Sequence, residues 1–286
     1  MQTRWDEAYR SRQEDEVRYA LLTGAGGGLG GAAAKALAGS GWTVLAADIN
    51  TAALDKLAKT SGIIPLTMDV TSGESVDQAV AWVQDQVPQL DVVANFAGIH
   101  ALGSFVEGDV ATTLAKMTDI NLMGMVRVNR ACFPLLVEHG GRIINCSSEC
   151  GYMKAQPFNG LYTVTKYGVE AYSDSLRREV APLGVKVIKI QPGSFDTALL
   201  DAAQTSFDRL YATTAYHKST LTKMKPLMTA QFDQAHNPSD LAKAVLKAAT
   251  SKHPASTYRV KNSKLMGAME LIPDRLLDAI YKIVLK

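Results

Sequence analysis

Six short apolar runs, each followed by a stretch of helical periodicity, constrain the fold of this chain more than any other feature. The runs lack polar alternation, which is typical of strands that are covered on both faces. Strands and helices that alternate in this way predict a parallel sheet with right-handed crossovers. The predicted strands are YALLTGAGG, TVLAADI, IIPLTMDV, LDVVANFAG, GRIINCSS and VKVIKIQPG, and a seventh, STYRV, follows them.

The predicted helices carry apolar residues at intervals of three and four. They are GAAAKALAGSG, AALDKLAKTSG, SVDQAVAWVQDQV and residues 109–138, 162–183 and 238–250. The segment 198–237 has no strand and only weak helical periodicity, and it follows the sixth strand. Because ligands bind at the carboxyl edge of a parallel sheet, we interpret this segment as a substrate lid. The alternative is a mobile surface excursion.

Composition predicts one domain over residues 1–286, because 47% hydrophobic residues supply a full core without disulfide or metal staples. We expect an N-terminal extension at 1–17 and an amphipathic tail at 263–286, in which Pro273 begins a helix. Core packing or a dimer contact is the expected role of this tail, and peripheral membrane contact is the alternative.

Charge and cysteine content bear on partners and compartment. The 30 basic and 28 acidic residues are interspersed, so no nucleic-acid partner is expected. The three cysteines, Cys132, Cys146 and Cys150, lack metal-ligand spacing, which favours a reducing, cytoplasmic setting without a bound metal. The charged N-terminus is not typical of a secretory signal, and no apolar run approaches the about 18 residues of a membrane span.

A glycine-rich turn, Thr23–Gly30, joins the first strand to the first helix and predicts a dinucleotide site. Glycines permit a sharp turn and close approach of a pyrophosphate to the free N–H groups of the helix. Asp48 ends the second strand 18 residues after Gly30, near the roughly 20 expected for the acid that binds an adenosine ribose. Its carboxylate would repel a 2′-phosphate, so NAD is predicted over NADP.

Tyr162 and Lys166 predict a proton-transfer pair. They are four residues apart at the start of a predicted helix, so their side chains share one face. A neighbouring ammonium favours the phenolate and lowers a pKa that is ordinarily about 10. A tyrosine in this setting exchanges a proton with an alcohol or carbonyl. Alone, such a pair is usually a surface coincidence.

Further motifs occur in a fixed order along the chain. They are Asp69-Val70, Asn95-Phe96-Ala97-Gly98, Asn121, Ser148 and Pro192-Gly193 followed by Thr197. With the glycine turn and the Tyr–Lys pair, they make residues 18–200 resemble the short-chain dehydrogenase/reductase family. The stretches 121–124 and 167–179 resemble the branch with retinol, 17β-hydroxysteroid and 3-hydroxybutyrate dehydrogenases.

This resemblance implies a Rossmann-type doubly wound sheet with helices on both faces and hydride transfer between a nicotinamide and a carbinol carbon. Tyr162 would be the general acid/base, and Lys166 would lower its pKa and hold the nicotinamide ribose. Ser148 would polarise the substrate oxygen, and Asn121 would anchor a water that links Lys166 to solvent.

The resemblance also implies a cofactor site. Asp69 and Val70 would meet the adenine, Asn95 and Gly98 would form the cofactor floor, and Thr197 would touch the carboxamide or pyrophosphate. The full predicted set is Thr23, Gly24, Gly26, Gly28, Leu29, Gly30, Asp48, Ile49, Asp69, Val70, Asn95, Ala97, Gly98, Tyr162, Lys166, Pro192, Gly193, Phe195 and Thr197.

Two departures from the family pattern affect the site. Phe96 stands where many members have Asn, and Ser148 lies 14 residues before Tyr162, one more than in many members. Ser147 is an adjacent alternative, but Gly151 follows Ser148 at the family's usual offset, so we favour Ser148. The extra residue is then expected in the loop 152–160, beside the substrate.

Substrate contacts are predicted for His100, Glu149, Met153 and Phe158. A spectator role is as plausible for His100, and a side chain turned to solvent is favoured for Glu149. Cys146 is expected to pack in its strand. Lid lysines such as Lys218 would bind an acidic substrate or, in the favoured interpretation, face solvent.

These features together predict an NAD-dependent oxidoreductase that acts on a lipophilic secondary alcohol or ketone of steroid, retinoid or aryl type. A homodimer or homotetramer is expected, because the family pairs its long helices between subunits. The alternatives are a binding protein that senses NAD(H) without turnover, a small hydroxy-acid dehydrogenase and a cofactor-using isomerase.

Overall fold

The computed structural model describes residues 17–285, without the side chains of residues 227 and 231–233. The predicted N-terminal extension therefore lies outside the described residues except for Val17, as does residue 286 of the tail. The described chain forms one seven-stranded sheet in the order β3-β2-β1-β4-β5-β6-β7. All neighbouring strands are parallel, as predicted.

The strands agree with the six apolar runs and the later seventh one. They are β1 (Arg18–Thr23), β2 (Trp42–Asp48), β3 (Ile63–Thr67), β4 (Val92–Asn95), β5 (Arg142–Cys146), β6 (Lys186–Pro192) and β7 (Thr257–Val260). The helices are α1 (Gly28–Ala38), α2 (Thr51–Leu57), α3 (Gly73–Gln86), α4 (Val110–Thr118), α5 (Gly124–Val137), α6 (Gly160–Val180), α7 (Ala198–Thr213), α8 (Lys218–Asp233), α9 (Pro238–Thr250), α10 (Lys264–Met269) and α11 (Asp274–Val284).

Two apolar layers cover the two faces of the sheet, which explains why its strands are continuously hydrophobic. On one face, α1 and α9 bury small and branched residues such as Ala33, Leu37 and Val245. On the other face, α3 and α5 bury residues such as Val80 and Val128. The predicted doubly wound architecture is confirmed.

The predicted helix over 109–138 is interrupted. A π-helical turn, Asp119–Met123, separates α4 from α5 and holds the buried Asn121. Gly124 then begins α5 against Val70, where a Cβ atom would lie 2.7 Å from the valine side chain. The spacing of apolar residues along a helix does not reveal one inserted residue, so the sequence did not predict this turn. Such π-helical turns are frequent at functional sites.

The segment 198–237 folds into two helices, α7 and α8, which its weak periodicity did not predict. Their apolar residues pack on each other and on the chain after β4 rather than on the sheet, in a cluster of Leu102, Phe207, Leu210 and Leu221. The two ends of the segment are tied together, because Asp196 N donates to His236 O at 3.0 Å and His236 N donates to Ser194 O at 3.0 Å.

The turn between α7 and α8 is held by Glu107. Its carboxylate accepts hydrogen bonds from the backbone N–H groups of Ala215 and Tyr216, both at 2.8 Å. The hydroxyl of Thr214 donates to it at 2.7 Å. The loop that follows β4 thus braces the far end of the two-helix segment.

The C-terminal strap, residues 263–285, crosses the carboxyl edge of the sheet. Its last helix, α11, buries only Leu277 and leaves Leu276 55% and Ile283 77% exposed. Its expected role in core packing or a dimer contact stays a prediction. Within the described part of the chain, no helix is long and apolar enough to cross a bilayer.

A buried amide network joins the centre of the sheet to the helices above it. Asn95 Nδ2 donates to Asn129 Oδ1 at 2.7 Å and to Asn145 Oδ1 at 3.0 Å. Asn129 Nδ2 donates to the Tyr172 hydroxyl at 3.1 Å, and Asn145 Nδ2 donates to Ser173 Oγ at 3.0 Å. The network therefore couples β4 and β5 to α5 and to α6, the helix that carries Tyr162.

We expect Asn129→Ala to lower the free energy of unfolding by about 2 kcal/mol, because it removes one hydrogen-bond partner from Asn95 and one from Tyr172 in a buried network. Urea denaturation measures the change. Gln78→Ala, on the exposed face of α3, is the control and should be nearly neutral. Equal stability losses in the two variants would contradict a structural role for the network.

Candidate active site

The predicted catalytic residues converge at the carboxyl edge of the sheet, where parallel α/β sheets bind ligands. Ser148 follows β5, and Tyr162 and Lys166 lie in the first two turns of α6. Asn121 approaches from the π-helical turn. All four side chains are buried, with exposures of 6% or less. Residues separated widely in sequence are thus brought together, as the motif order implies.

Ser148, rather than Ser147, faces Tyr162. The Ser148 hydroxyl lies close enough to the phenol to lower its pKa by hydrogen bonding, and it also accepts from Cys150 N at 3.1 Å. Ser147 points towards Gly151, where a Cβ atom would lie 2.6 Å from its hydroxyl. Its Oγ is buried with no hydrogen-bond partner. The geometry therefore favours Ser148 as the substrate-polarising residue.

Burial dominates the electrostatics of the Tyr–Lys pair. It raises the pKa of Tyr162 well above the ordinary value, and it lowers the pKa of Lys166. The Lys166 ammonium donates to the carbonyl of Cys146 at 2.9 Å and lies 5.6 Å from the centre of the phenol ring. The expected lowering of the Tyr162 pKa by Lys166 is therefore outweighed by desolvation.

The Asn121 side chain is occupied by protein partners. Its Oδ1 accepts from Ile99 N at 2.8 Å, and its Nδ2 donates to Ile99 O at 3.0 Å and to Thr165 Oγ1 at 3.1 Å. Both amide hydrogens are used, so the side chain ties the chain after β4 to α6. The water that the resemblance assigns to Asn121 stays a prediction.

The glycine turn is shaped for close approach of a ligand to the backbone. Gly24 has a φ of +66°, and a Cβ atom there would collide with the Ala97 backbone. At Gly28, a Cβ atom would lie 2.5 Å from the Thr197 side chain. The Thr197 side chain thus packs directly on Gly28, and no larger residue fits at position 28. Gly27, the N-cap of α1, has no side chain to cap the first N–H groups of the helix, which fits a bound pyrophosphate.

Asp48 is oriented by the same turn. Its Oδ2 accepts from Gly26 N at 2.8 Å, and its Oδ1 accepts from Asn50 N at 2.9 Å. A groove of about 870 Å³ runs beside the turn between α1, α2 and α9, and Lys35, Lys56 and Lys243 line it. The carboxylate is thus fixed beside the glycine turn, and its predicted role as the ribose ligand stays a prediction.

Some predicted cofactor residues make other contacts. The Asn95 side chain is bound within the buried amide network, so its expected part in the cofactor floor stays a prediction for its main chain. The Asp69 carboxylate accepts from Thr71 N at 2.9 Å and from the Thr71 hydroxyl at 2.7 Å. Gly98 lies against the Asn121 amide, and Gly193 against the Lys261 carbonyl.

The predicted substrate residues divide between the site and its supports. The Glu149 side chain is buried, not turned to solvent as favoured, and its Oε2 accepts from Ser263 N at 2.6 Å. Burial raises the pKa of this carboxyl. Phe158, at a φ of +64°, packs edge-on against His217, with 5.1 Å between ring centres. Met153 is buried below the same loop.

The C-terminal strap clamps the loop between Ser148 and Tyr162. Lys154 Nζ donates to Ile272 O at 2.5 Å and to Asp274 Oδ1 at 2.7 Å. The backbone N–H of Lys154 donates to Glu270, and the Tyr281 hydroxyl donates to Gln156. The sequence reasoning missed these residues, because nothing local marks partners more than a hundred positions apart.

Known proteins resemble this chain in sequence. The family model described as short chain dehydrogenase matches residues 18–206. Rat 17-beta-hydroxysteroid dehydrogenase type 6 is 35% identical over 206 residues, which cover 70% of this chain and 63% of that relative. The chain thus spans less than two thirds of that relative's length.

Longer alignments support the same relationship. Rat retinol dehydrogenase 16 is 31% identical over 279 residues, which cover 92% of this chain and 87% of that protein. The crystal structure of a short-chain dehydrogenase from Streptomyces avermitilis has a TM-score of 0.74 at 26% identity, covering 95% of this chain and 96% of that one.

The two serines provide a test of the site geometry. Ser148→Ala should lower turnover of a secondary alcohol about 100-fold, because one positioned hydrogen-bond donor to the reacting oxygen is lost. Ser147→Ala should change turnover little, since its hydroxyl faces Gly151. Steady-state rates at the reduced-nicotinamide absorbance band measure both. The reverse order of effects would overturn the choice of Ser148.

Proposed function

Because this chain belongs to the short chain dehydrogenase family, we propose that it is a nicotinamide-dependent oxidoreductase that interconverts a secondary alcohol and a ketone. Its curated relatives include the retinol and steroid dehydrogenases of the branch that the motifs resemble. The observation that carries the proposal is the burial of Ser148, Tyr162 and Lys166 together at the carboxyl edge of the sheet, with Lys166 Nζ 5.6 Å from the centre of the Tyr162 ring.

The chain's own residues manage the proton and the orientation of the substrate. In the oxidative direction, Tyr162 accepts the hydroxyl proton of the alcohol, and Ser148 donates a hydrogen bond to the same oxygen. Lys166 holds its ammonium beside the phenol and hydrogen-bonds the carbonyl at the end of β5. The nicotinamide ring, when bound, supplies the hydride acceptor.

We propose NAD as the preferred cofactor. The Asp48 carboxylate is fixed by two backbone N–H groups beside the glycine turn, where it accepts hydrogen bonds from ribose hydroxyls and repels a phosphate. The turn itself carries no basic residue between Gly24 and Gly28. Lys35 and Lys56 line the groove beside this turn, so the proposal rests on the charge of Asp48 outweighing theirs at the ribose.

A lipophilic substrate fits the residues above the site. The lid formed by α7 and α8 packs around an apolar cluster of Leu102, Phe207, Leu210 and Leu221. Leu102 N donates to Ser206 Oγ at 2.8 Å, which joins this lid to the chain that leads from β4 past the site.

We also propose a single domain that acts as a homo-oligomer in the cytoplasm.

The central test is Tyr162→Phe with NAD and a panel of secondary alcohols. Loss of the phenol should lower turnover at least about 100-fold, because it removes the proton acceptor. Tyr19→Phe, at the opposite, amino-terminal end of β1, is the matched control and should retain the wild-type rate. Binding of NAD without turnover of any alcohol would instead favour a sensor of NAD(H).

The cofactor preference is tested at Asp48. Asp48→Ser should lower the ratio of kcat/KM for NAD to that for NADP about tenfold or more, because it removes a negative charge that repels the 2′-phosphate. Asp55→Ser, exposed on α2, removes the same charge away from the turn and should leave the ratio unchanged. An unchanged ratio in Asp48→Ser would contradict the assignment.

A further inference from the structure

An imidazole packs on the face of the Tyr162 ring. The two ring centres of His100 and Tyr162 are 4.1 Å apart, and the planes are tilted by 32°. His100 lies in the irregular chain after β4, two residues before the lid contact at Leu102. Rings packed this closely restrict each other's rotation, so the contact limits the orientations open to the phenol.

Asn159 anchors the imidazole to the helix that carries Tyr162. His100 Nε2 and Asn159 Oδ1 are 2.9 Å apart, and Asn159 Nδ2 donates to Cys150 Sγ at 3.3 Å. The imidazole tautomer with its proton on Nε2 donates to this amide oxygen. Asn159 directly precedes α6, and the imidazole is therefore held by the start of that helix.

The charge state of His100 suits a packing role. Burial lowers its pKa to about 4, the hydrogen bond to Asn159 opposes this, and the charge of Lys166 lowers it further. The ring is therefore neutral at physiological pH. A neutral ring packs on the phenol without adding a second positive charge beside the Lys166 ammonium.

The phenol lies among apolar side chains. Tyr162 belongs to a buried cluster with Met117 and Leu161, against which Ile99 and Cys150 also pack. Because the imidazole centre lies 4.1 Å from the phenol centre, removal of His100 would leave a gap in this packing beside the ring. The imidazole therefore completes the packing around Tyr162.

We infer that His100 is a positioning residue: its imidazole, held by Asn159, fixes the ring of Tyr162 so that the hydroxyl faces Ser148. The inference rests on the proposed function, because it concerns the residue assigned there to proton transfer. His100 thus contributes to the reaction through the orientation of Tyr162 and takes part in no chemical step itself.

The experiment compares His100→Ala, His100→Phe and His100→Gln in the full chain, with His253→Ala on an exposed loop as the control. We expect His100→Ala to lower kcat about tenfold with little change in the KM for NAD. His100→Phe restores a ring against the phenol and should recover most of kcat. His100→Gln keeps a polar group but no ring, and it should not.

The pH profile of kcat separates positioning from loss of stability. Burial raises the pKa of Tyr162, so water admitted by His100→Ala should move the corresponding limb of the profile to lower pH, whereas His100→Phe should not move it. Wild-type kcat and profile in His100→Ala would overturn the inference. Recovery of kcat in His100→Gln but not in His100→Phe would also overturn the inference. That pattern would indicate a hydrogen bond from residue 100 to the substrate instead.

A spectroscopic measurement tests the same inference without turnover. In protein labelled with 13C-tyrosine, the Tyr162 ring signals should show slow ring flips in the wild type and in His100→Phe, and averaged signals in His100→Ala. Fast flips already present in the wild type would refute positioning. If the wild type turns over no alcohol, the proposed function fails, and this measurement still decides the role of His100.

Discussion

Burial of the Lys166 ammonium beside the Tyr162 phenol is the constraint on which the rest of the site depends. A charged amine at 5% exposure is costly unless its hydrogens have partners. The carbonyl of Cys146 provides one because the parallel strands end together and expose carbonyl groups at this edge. The sheet topology therefore offsets part of the free-energy cost of burying the ammonium. Because α6 begins at Gly160, Tyr162 and Lys166, four residues apart, lie on one face of that helix.

Three supports hold this buried pair from different parts of the chain. The amide network of Asn95, Asn129 and Asn145 fixes α6 against the sheet. The π-helical turn brings Asn121 to Thr165 on the same helix. The C-terminal strap fixes the loop that connects Ser148 to Tyr162, through Lys154. Each support binds α6 or its preceding loop, so the position of the Tyr–Lys pair is determined by packing over the whole domain.

The sequence predicted the parts of this arrangement that depend on local spacing. The apolar runs predicted the seven parallel strands, and the order of motifs predicted which residues meet at the sheet edge. It did not predict helices in 198–237, because their apolar faces pack on each other and not on the sheet. Nor did it predict that Asn95 turns into the core or that Glu149 binds Ser263, since both depend on distant partners. The pKa of Tyr162 was misjudged for a related reason: spacing reveals Lys166 but not the depth of burial.

Burial and proton transfer oppose each other at Tyr162. The Tyr162 phenol is buried, with the His100 ring packed on it, and this burial raises its pKa and disfavours the phenolate that accepts a proton. The same exclusion strengthens every hydrogen bond made within the site, including that from Ser148. An oxidoreductase on this scaffold therefore needs groups that favour the phenolate without admitting water. Ser148 and the Lys166 ammonium have this property, and their burial together with Tyr162 is the arrangement that reconciles the two requirements.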